Sequence, residues 1–280
     1  MVRAKKRKIL ILGANGMLGS QLTMAFAQDN FIAWTKHELD ITKQKEVKKK
    51  ITDLKPDIVI NAAAFTAVDE CEKKADLALA VNGEAVGYIA LACRELDCPL
   101  VHYSTDYVFS GHKRLGYKED DKTNPINTYG KSKEYGEKLL KKYCPKYYLI
   151  RSSWLYGPNG HNFVDTVAEI APERPELKMV NDQNGKPTYT KDLAQRTKEL
   201  LDKGHDYGIY HITNEGMTTW FKLAKEICRY LRIKTKITPI TSYQLPRPAK
   251  RPHYSALLNT KIKKSRHWQK ALTDYLATKK

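Results

Sequence analysis

Three things are scarce in this chain of 280 residues. Cysteine is the first. Cys71, Cys93, Cys98, Cys144 and Cys228 are an odd number without CxxC spacing, which argues against a disulfide framework and a cysteine zinc site and points to a reducing compartment. Long apolar runs are the second. No stretch approaches the ~20 apolar residues of a membrane span, and "KKRK" ahead of "ILIL" only briefly imitates a signal peptide, because the apolar run stops at "GANG". The expectation is a soluble, cytoplasmic protein with no membrane partner. Acid is the third shortage: Asp+Glu number 31 against 49 Lys+Arg, for a net charge of +18. Such an excess suits polyanions, phosphates included. Much of it sits in "RAKKRK", in "KQKEVKKKITDLK" and at the Lys279 and Lys280 end, runs that read as solvated faces. No helix-turn-helix, zinc knuckle or aromatic-basic strand accompanies them, so no nucleic-acid partner is expected.

What the chain does have is rhythm. "KILILGANGMLGSQLTMAFAQD" is a short apolar run, a glycine-rich turn, then Leu18, Leu22 and Phe26 at spacing four, which reads as strand, turn, helix. "FIAW", "DIVINAAA", "PLVHYSTDYVF" and "YYLIRSSWLYG" read as further strands. "KQKEVKKKITDLK", "VNGEAVGYIALACREL" and "GKSKEYGEKLLKKY" read as the helices between them. Near-continuous apolar strands alternating with helices imply a parallel sheet covered on both faces, a doubly wound α/β domain. After Gly157 prolines and glycines break the rhythm, although "KDLAQRTKELLDKG" with "GIYHIT" restores one helix-strand step. The expected division is a dinucleotide-binding domain of residues 1–157 and 189–213, with a smaller discontinuous lobe of residues 158–188 and 214–280 that binds substrate.

Gly13, Gly16 and Gly19 form G-x-x-G-x-x-G where a strand meets a helix. Glycines there let backbone N–H groups approach a pyrophosphate, and the helix N-terminus favours its negative charge. NAD sites usually carry an acidic side chain about 20 residues on. Here that place reads Thr35, Lys36, His37, whose basic character favours the 2′-phosphate of NADP; Asp40 lies further along and suits the adenine. Ser104, Thr105 and Asp106 should stand at the carboxyl end of a strand, where open α/β sheets bind ligands. Tyr129 and Lys133 are four apart on the next helix and therefore share a face, while Lys131 points away. A cation within ~4–6 Å lowers a phenol's pKa by roughly 1–3 units, and Lys133 is the cation that the spacing supplies.

With these residues in place the chain resembles the extended short-chain dehydrogenase/reductase family. The likeness covers nearly the whole chain. It is carried by "GANGMLGSQL", "LDIT", "PDIVINAAAFTAVDECE", "STDYVFSG" and "NPINTYGKSKEYGE", and most specifically by the tryptophan of "RSSWLYG", by "DQNGKPT" and by "PAKRPHYS". The resemblance implies a Rossmann fold and reduction by NADPH, with NADH as the alternative. It also implies a dTDP-sugar substrate, the 4-keto group of dTDP-4-dehydro-L-rhamnose being reduced to give dTDP-L-rhamnose, a donor for surface polysaccharide. Thr105, Tyr129 and Lys133 would be catalytic, with Tyr129 and Lys133 also meeting the cofactor. Gly13, Gly16, Met17 and Leu18 would lie at the pyrophosphate, Asp40 and Ile41 at the adenine, and Ala62, Ala63 and Ala64 at the neighbouring ribose. Thr105, Asp106 and Trp154 would touch the deoxysugar, and Arg251 the nucleotide diphosphate. The chain departs from the family where an acid is common and Ser110 stands, and it offers no match for the glutamates that hold magnesium in some members, so no metal is expected. A homodimer is the expected assembly. Two other readings stay open: a reductase of another dTDP-4-keto-6-deoxy sugar, and a non-catalytic regulatory subunit like the methionine adenosyltransferase partner in a close branch of the family.

Overall fold

The computed structural model describes residues 7–279. The basic run at residues 3–8 therefore lies largely outside the described residues, as does Lys280. The strands used below are β1 (Lys8–Leu12), β2 (Asn30–Trp34), β3 (Ile58–Asn61), β4 (Leu100–Thr105), β5 (Tyr147–Ser152), β6 (Glu176–Val180), β7 (Gly208–His211) and β8 (Lys236–Ile240). The helices are α1 (Met17–Ala25), α2 (Gln44–Leu54), α3 (Val68–Lys73), α4 (Ala75–Glu95, with a π turn at Ala80–Glu84), α5 (Thr128–Tyr143), α6 (Phe163–Ile170), α7 (Thr190–Asp202), α8 (Trp220–Leu231) and α9 (Trp268–Ala277).

Successive side chains of a strand face opposite ways, so a strand covered on both sides must be apolar throughout. In β1 this is visible residue by residue. Ile9 and Ile11 enter the layer with Leu22 of α1, Phe26 just past its end, and Leu193 and Leu200 of α7. Leu10 and Leu12 enter the opposite layer with Val47 and Ile51 of α2, Ile89 of α4 and Leu140 of α5. Six parallel strands follow the order β7-β5-β4-β3-β1-β2. The chain leaves β1 to one side for β2 and returns to the other side for β3. The crevice at the carboxyl ends of β1 and β3 is thus the topological switch point, where such sheets bind ligands.

A third apolar cluster gathers Val164 and Val167 of α6, Leu177 of β6, Leu223 and Ile227 of α8, and Trp268, Leu272 and Tyr275 of α9. Strands β6 and β8 pair in parallel beside it. The C-terminal part of the chain also crosses back over the sheet: Leu257 is buried with Phe109 and Tyr117, and Ile262 rests on the α1 face.

One expectation needs correcting. Helix α4 is 21 residues long and apolar enough, by length and composition, to cross a membrane. Its Ala85, Val86, Ile89, Ala90 and Cys93 are buried in the sheet layer with α2 and α5. Its apolar character reflects contact with neighbours on more than one side, as expected of a core helix.

Candidate active site

Gly13 follows β1 with φ +74, and a Cβ there would stand 2.6 Å from the backbone nitrogen of Ala63, so only glycine fits between the ends of β1 and β3. The N–H groups of Gly13 and Ala14 both donate to the Trp34 carbonyl, at 2.9 and 3.1 Å, tying the turn to β2. No side chain caps α1, whose N-cap is Gly16. Its first N–H groups, those of Met17 and Leu18 among them, are therefore free to meet an anion. A cavity of about 340 Å³ opens beside this turn, and its walls bring together Gly13, Gly16, Lys36, Asp40, Ile41 and Ala62 to Ala64. Met17, Leu18, Tyr129 and Lys133 are not among its lining residues. Sequence reasoning missed Trp34, Leu39, Leu77 and Val81, the apolar half of the same walls. These look like ordinary core positions in a linear reading.

The loop after β2 carries a carboxylate that the expectation of a purely basic segment overlooked. Glu38 accepts from the Thr35 N–H at 2.7 Å and from its hydroxyl at 2.6 Å, and these bonds hold its carboxyl below the usual range. Lys36 remains in the cavity wall, whereas His37 is not among the lining residues. Asp40 is folded onto its own loop, accepting from the Thr42 hydroxyl at 2.7 Å and N–H at 3.0 Å, which lowers its pKa.

Strand β4 ends at Thr105, whose hydroxyl donates to Asp106 at 3.0 Å and accepts from the Tyr107 N–H at 3.2 Å. Asp106 is buried, and its Oδ2 has no hydrogen-bond partner. Burial pushes its pKa up to about 7, partly offset by the nearby hydroxyls of Ser255 and Thr105. Helix α5 is delivered to this strand end by its caps. Asn127 accepts from the Gly130 N–H at 2.7 Å and donates to the Lys250 carbonyl, and Glu72 accepts from the Thr128 N–H and hydroxyl at the positive end of the helix.

The helical register agrees with the spacing: Lys133 is buried and Lys131 is exposed. Tyr129 packs edge-on against Tyr107, with ring centroids 5.8 Å apart. Burial drives its phenol well above the ordinary value, and the approach of the Thr105 hydroxyl is what opposes the rise. Lys133 does not contribute to that balance, contrary to the expectation. Its Nζ donates to the Tyr103 carbonyl at 2.6 Å and lies 3.4 Å from Nε2 of His102, which in turn meets Asn61. The long side chain thus reaches past the tyrosine to the backbone of β4. Burial lowers the Lys133 ammonium to about 8, and Glu137, one turn further along α5, works in the opposite direction. Glu137 is itself gripped by Arg151 at 2.9 and 2.7 Å and receives the Ser104 hydroxyl at 2.6 Å, all inside the core. Spacing alone could have flagged Glu137, four residues after Lys133; Asn61, His102 and Arg151 come from other strands and carry no local signal.

Trp154 has φ 47 and stacks on Trp220 with ring centroids 3.6 Å apart. Gly185 makes room for it, since a Cβ there would lie 2.4 Å from the indole. Trp220, Phe163, Tyr107, Gln183, Arg247 and Arg251 line a cavity of about 260 Å³, and Trp154 backs that wall without lining it. Arg251 lies 3.0 Å from Asp69 and 5.9 Å from the centre of the Tyr107 ring. Ser110 contacts the Tyr117 hydroxyl at 3.3 Å.

Comparison with known proteins places the chain among related sequences and folds. The RmlD substrate binding domain family matches residues 7–280. The chain is 41% identical to the spore coat polysaccharide biosynthesis protein SpsK of Bacillus subtilis, over 96% of both chains. It is 41% identical to a dTDP-4-dehydrorhamnose reductase of Streptomyces griseus, covering 95% of this chain and 91% of that one. A dTDP-4-dehydrorhamnose reductase from Bacillus anthracis, solved in complex with NADP, superposes with a TM-score of 0.94 at 36% identity, covering 98% of this chain and 99% of the other.

Proposed function

The chain belongs to the RmlD substrate binding domain family, and from that premise we propose that it is an NADPH-dependent oxidoreductase that reduces the 4-keto group of dTDP-4-dehydro-L-rhamnose to dTDP-L-rhamnose. The observation that carries the reading is the meeting of two hydroxyls, Thr105 and Tyr129, at the carboxyl end of β4, with the cavity at the glycine turn and the arginine-lined cavity as separate chambers for cofactor and sugar nucleotide. The fit for a dinucleotide rests on Gly13, where any side chain would close the approach, and on the uncapped start of α1.

NADPH, when bound, supplies the hydride. Gly13, Gly16, Met17 and Leu18 would hold its pyrophosphate, Lys36 its 2′-phosphate, and Asp40, Ile41 and Ala62 to Ala64 its adenosine half. Tyr129 is the proton donor. Its raised pKa keeps the phenol protonated at neutral pH, and an alkoxide oxygen is far more basic than a phenolate, so the proton moves downhill as the carbonyl is reduced. Thr105 holds the carbonyl oxygen through its hydroxyl. Lys133, on the same helical face as Tyr129 and fixed by the Tyr103 carbonyl, would hold the nicotinamide ribose of the cofactor. Asp106, with one free carboxylate oxygen, accepts a sugar hydroxyl; Trp154 shapes the sugar pocket from behind Trp220, and Arg251 meets the diphosphate.

The same reading places the enzyme in the cytoplasm, as a source of rhamnose donor for surface polysaccharide. It assigns residues 1–157 and 189–213 to the dinucleotide lobe and residues 158–188 and 214–280 to the substrate lobe. The test is loss of nicotinamide absorbance when NADPH and dTDP-4-dehydro-L-rhamnose are mixed with the protein, with the sugar product identified. No oxidation of NADPH under those conditions sinks the proposal.

A further inference from the structure

Three of the five cysteines meet at the end of the sheet opposite the cofactor cavity. Cys93 lies in the last turn of α4, Cys98 belongs to the link into β4, and Cys144 follows α5; all three are buried in the layer that α2, α4 and α5 share. The reductase chemistry uses none of them.

The way α4 ends brings two of these cysteines together. Asp97 has φ 54, the left-handed conformation that stops a helix. Around it the Cys98 N–H donates to the Cys93 carbonyl at 3.0 Å and the Asp97 N–H to the Arg94 carbonyl at 3.1 Å. This pair of bonds is the Schellman motif, whose first and sixth residues turn their side chains onto each other, ordinarily as an apolar contact. Here both are cysteine. With standard bond lengths, an N–H···O contact of 3.0 Å holds the two Cα atoms within about 7 Å even at full stretch, and the bends at oxygen and nitrogen shorten it. Disulfides span about 4.4–6.8 Å between Cα atoms, so the backbone already sits in bonding range. Lys146 holds the turn in place, donating to the Asp97 carboxylate at 2.6 Å and to its carbonyl at 3.3 Å.

The two thiols are not equivalent. Cys93 is fully enclosed, whereas Cys98 keeps 5% of its surface open beside the exposed Asp97. A hydrogen bond from the Cys93 thiol lowers the pKa of Cys98 against the effect of burial, and burial pushes Cys93 well above the ordinary value. The thiolate is the form that attacks, so Cys98 is the nucleophile and Cys93 the resolving thiol. Cys144 is engaged elsewhere: its Sγ donates to the Lys146 carbonyl at 3.3 Å, and burial raises its pKa to about 11. So small an opening at Cys98 suits a small, uncharged oxidant.

We propose that Cys93 and Cys98 are a peroxide-reactive dithiol, a modification site at the end of α4 that closes to an intramolecular disulfide. The Cys98 thiolate attacks one oxygen of hydrogen peroxide, the O–O bond breaks, and Cys98 becomes a sulfenic acid while the departing hydroxide takes up a proton to give water. The Cys93 sulfur then attacks the sulfenic sulfur. The S–S bond forms, and the Cys93 proton leaves with the hydroxyl as a second water. Two thiols lose two electrons in all, and the peroxide gains them.

Peptide mapping of the full-length protein tests this. The reduced protein is treated with hydrogen peroxide, freed of it, blocked with N-ethylmaleimide in denaturant and digested with trypsin. Arg94 lies between the two cysteines, so cleavage leaves them on separate peptides, residues 75–94 and 95–113, which stay joined only through a disulfide. The expected result is the loss of two of the five blockable thiols, with those two peptides linked and then released by dithiothreitol. Cys144→Ala should behave in the same way. Cys93→Ala should stop at a sulfenic acid on Cys98, captured by dimedone, and Cys98→Ala should keep Cys93 as a free thiol. Five free thiols after peroxide, linkage through Cys144, or linkage that forms only in urea overturns the proposal.

Discussion

Replacing Lys133 by Met separates what this residue does for the fold from what it does for chemistry. The ammonium is buried, and its pKa falls to about 8 from an ordinary 10.5. A depression of that size means that holding the charge inside the protein costs about 3 kcal/mol of stability. The folded-state value is the lower one, so the unfolded chain binds the extra proton between the two values. The cost is therefore fully present below pH 8 and disappears as pH rises through 10.5. Met keeps most of the stem and removes the charge, but leaves the buried Tyr103 carbonyl without its 2.6 Å donor, a loss of ~1–3 kcal/mol. At pH 7 the variant should be as stable as the wild type or up to about 2 kcal/mol more stable in urea titration, while keto-sugar turnover falls by roughly 10²-fold or more. Lys131→Met, on the exposed side of the same helix, should change stability by less than about 0.5 kcal/mol and leave turnover intact. A strongly destabilised Lys133→Met would refute the burial cost. Equal impairment of the two variants would refute the helical register on which the site depends.

Two further outcomes are expected. Lys36→Glu should raise KM for NADPH more than for NADH in steady-state assays, because Lys36 lines the cofactor cavity while Glu38 is occupied by Thr35; an equal response for both cofactors contradicts the assignment. Asp106 has its folded-state pKa raised to about 7 from an ordinary 3.8, so the folded protein binds the extra proton between those values and stability falls as pH rises across that interval. Urea titrations at pH 5 and pH 8 should show this loss in the wild type and much less of it in Asp106→Asn.

What could be read from the sequence was local. The glycine turn at Gly13, the strand ending at Thr105 and the shared face of Tyr129 and Lys133 each depend on residues within one or two turns of chain, and hydrophobic periodicity marks them. The engagement of Lys133 was not legible, because its partners Tyr103 and His102 reach it across the sheet from another element. Glu38 was missed for a different reason: whether a loop carboxylate faces a ligand or its own backbone depends on a turn conformation that composition does not encode. Beside the arginine-lined cavity Asp69 meets Arg247 and Arg251, residues nearly two hundred positions away, and only the folded chain shows that one acid serves two bases.

The central claim is that Tyr129 protonates the reduced carbonyl of a dTDP-linked keto sugar. Single-turnover mixing of the NADPH-bound protein with dTDP-4-dehydro-L-rhamnose tests it most directly, comparing the wild type with Tyr129→Phe, which keeps the ring against Tyr107 and removes the proton. The account predicts rapid oxidation of NADPH with formation of dTDP-L-rhamnose in the wild type, and a rate lower by roughly 10²–10⁴-fold in the variant, with NADPH binding unchanged. A near-normal rate in Tyr129→Phe would contradict it.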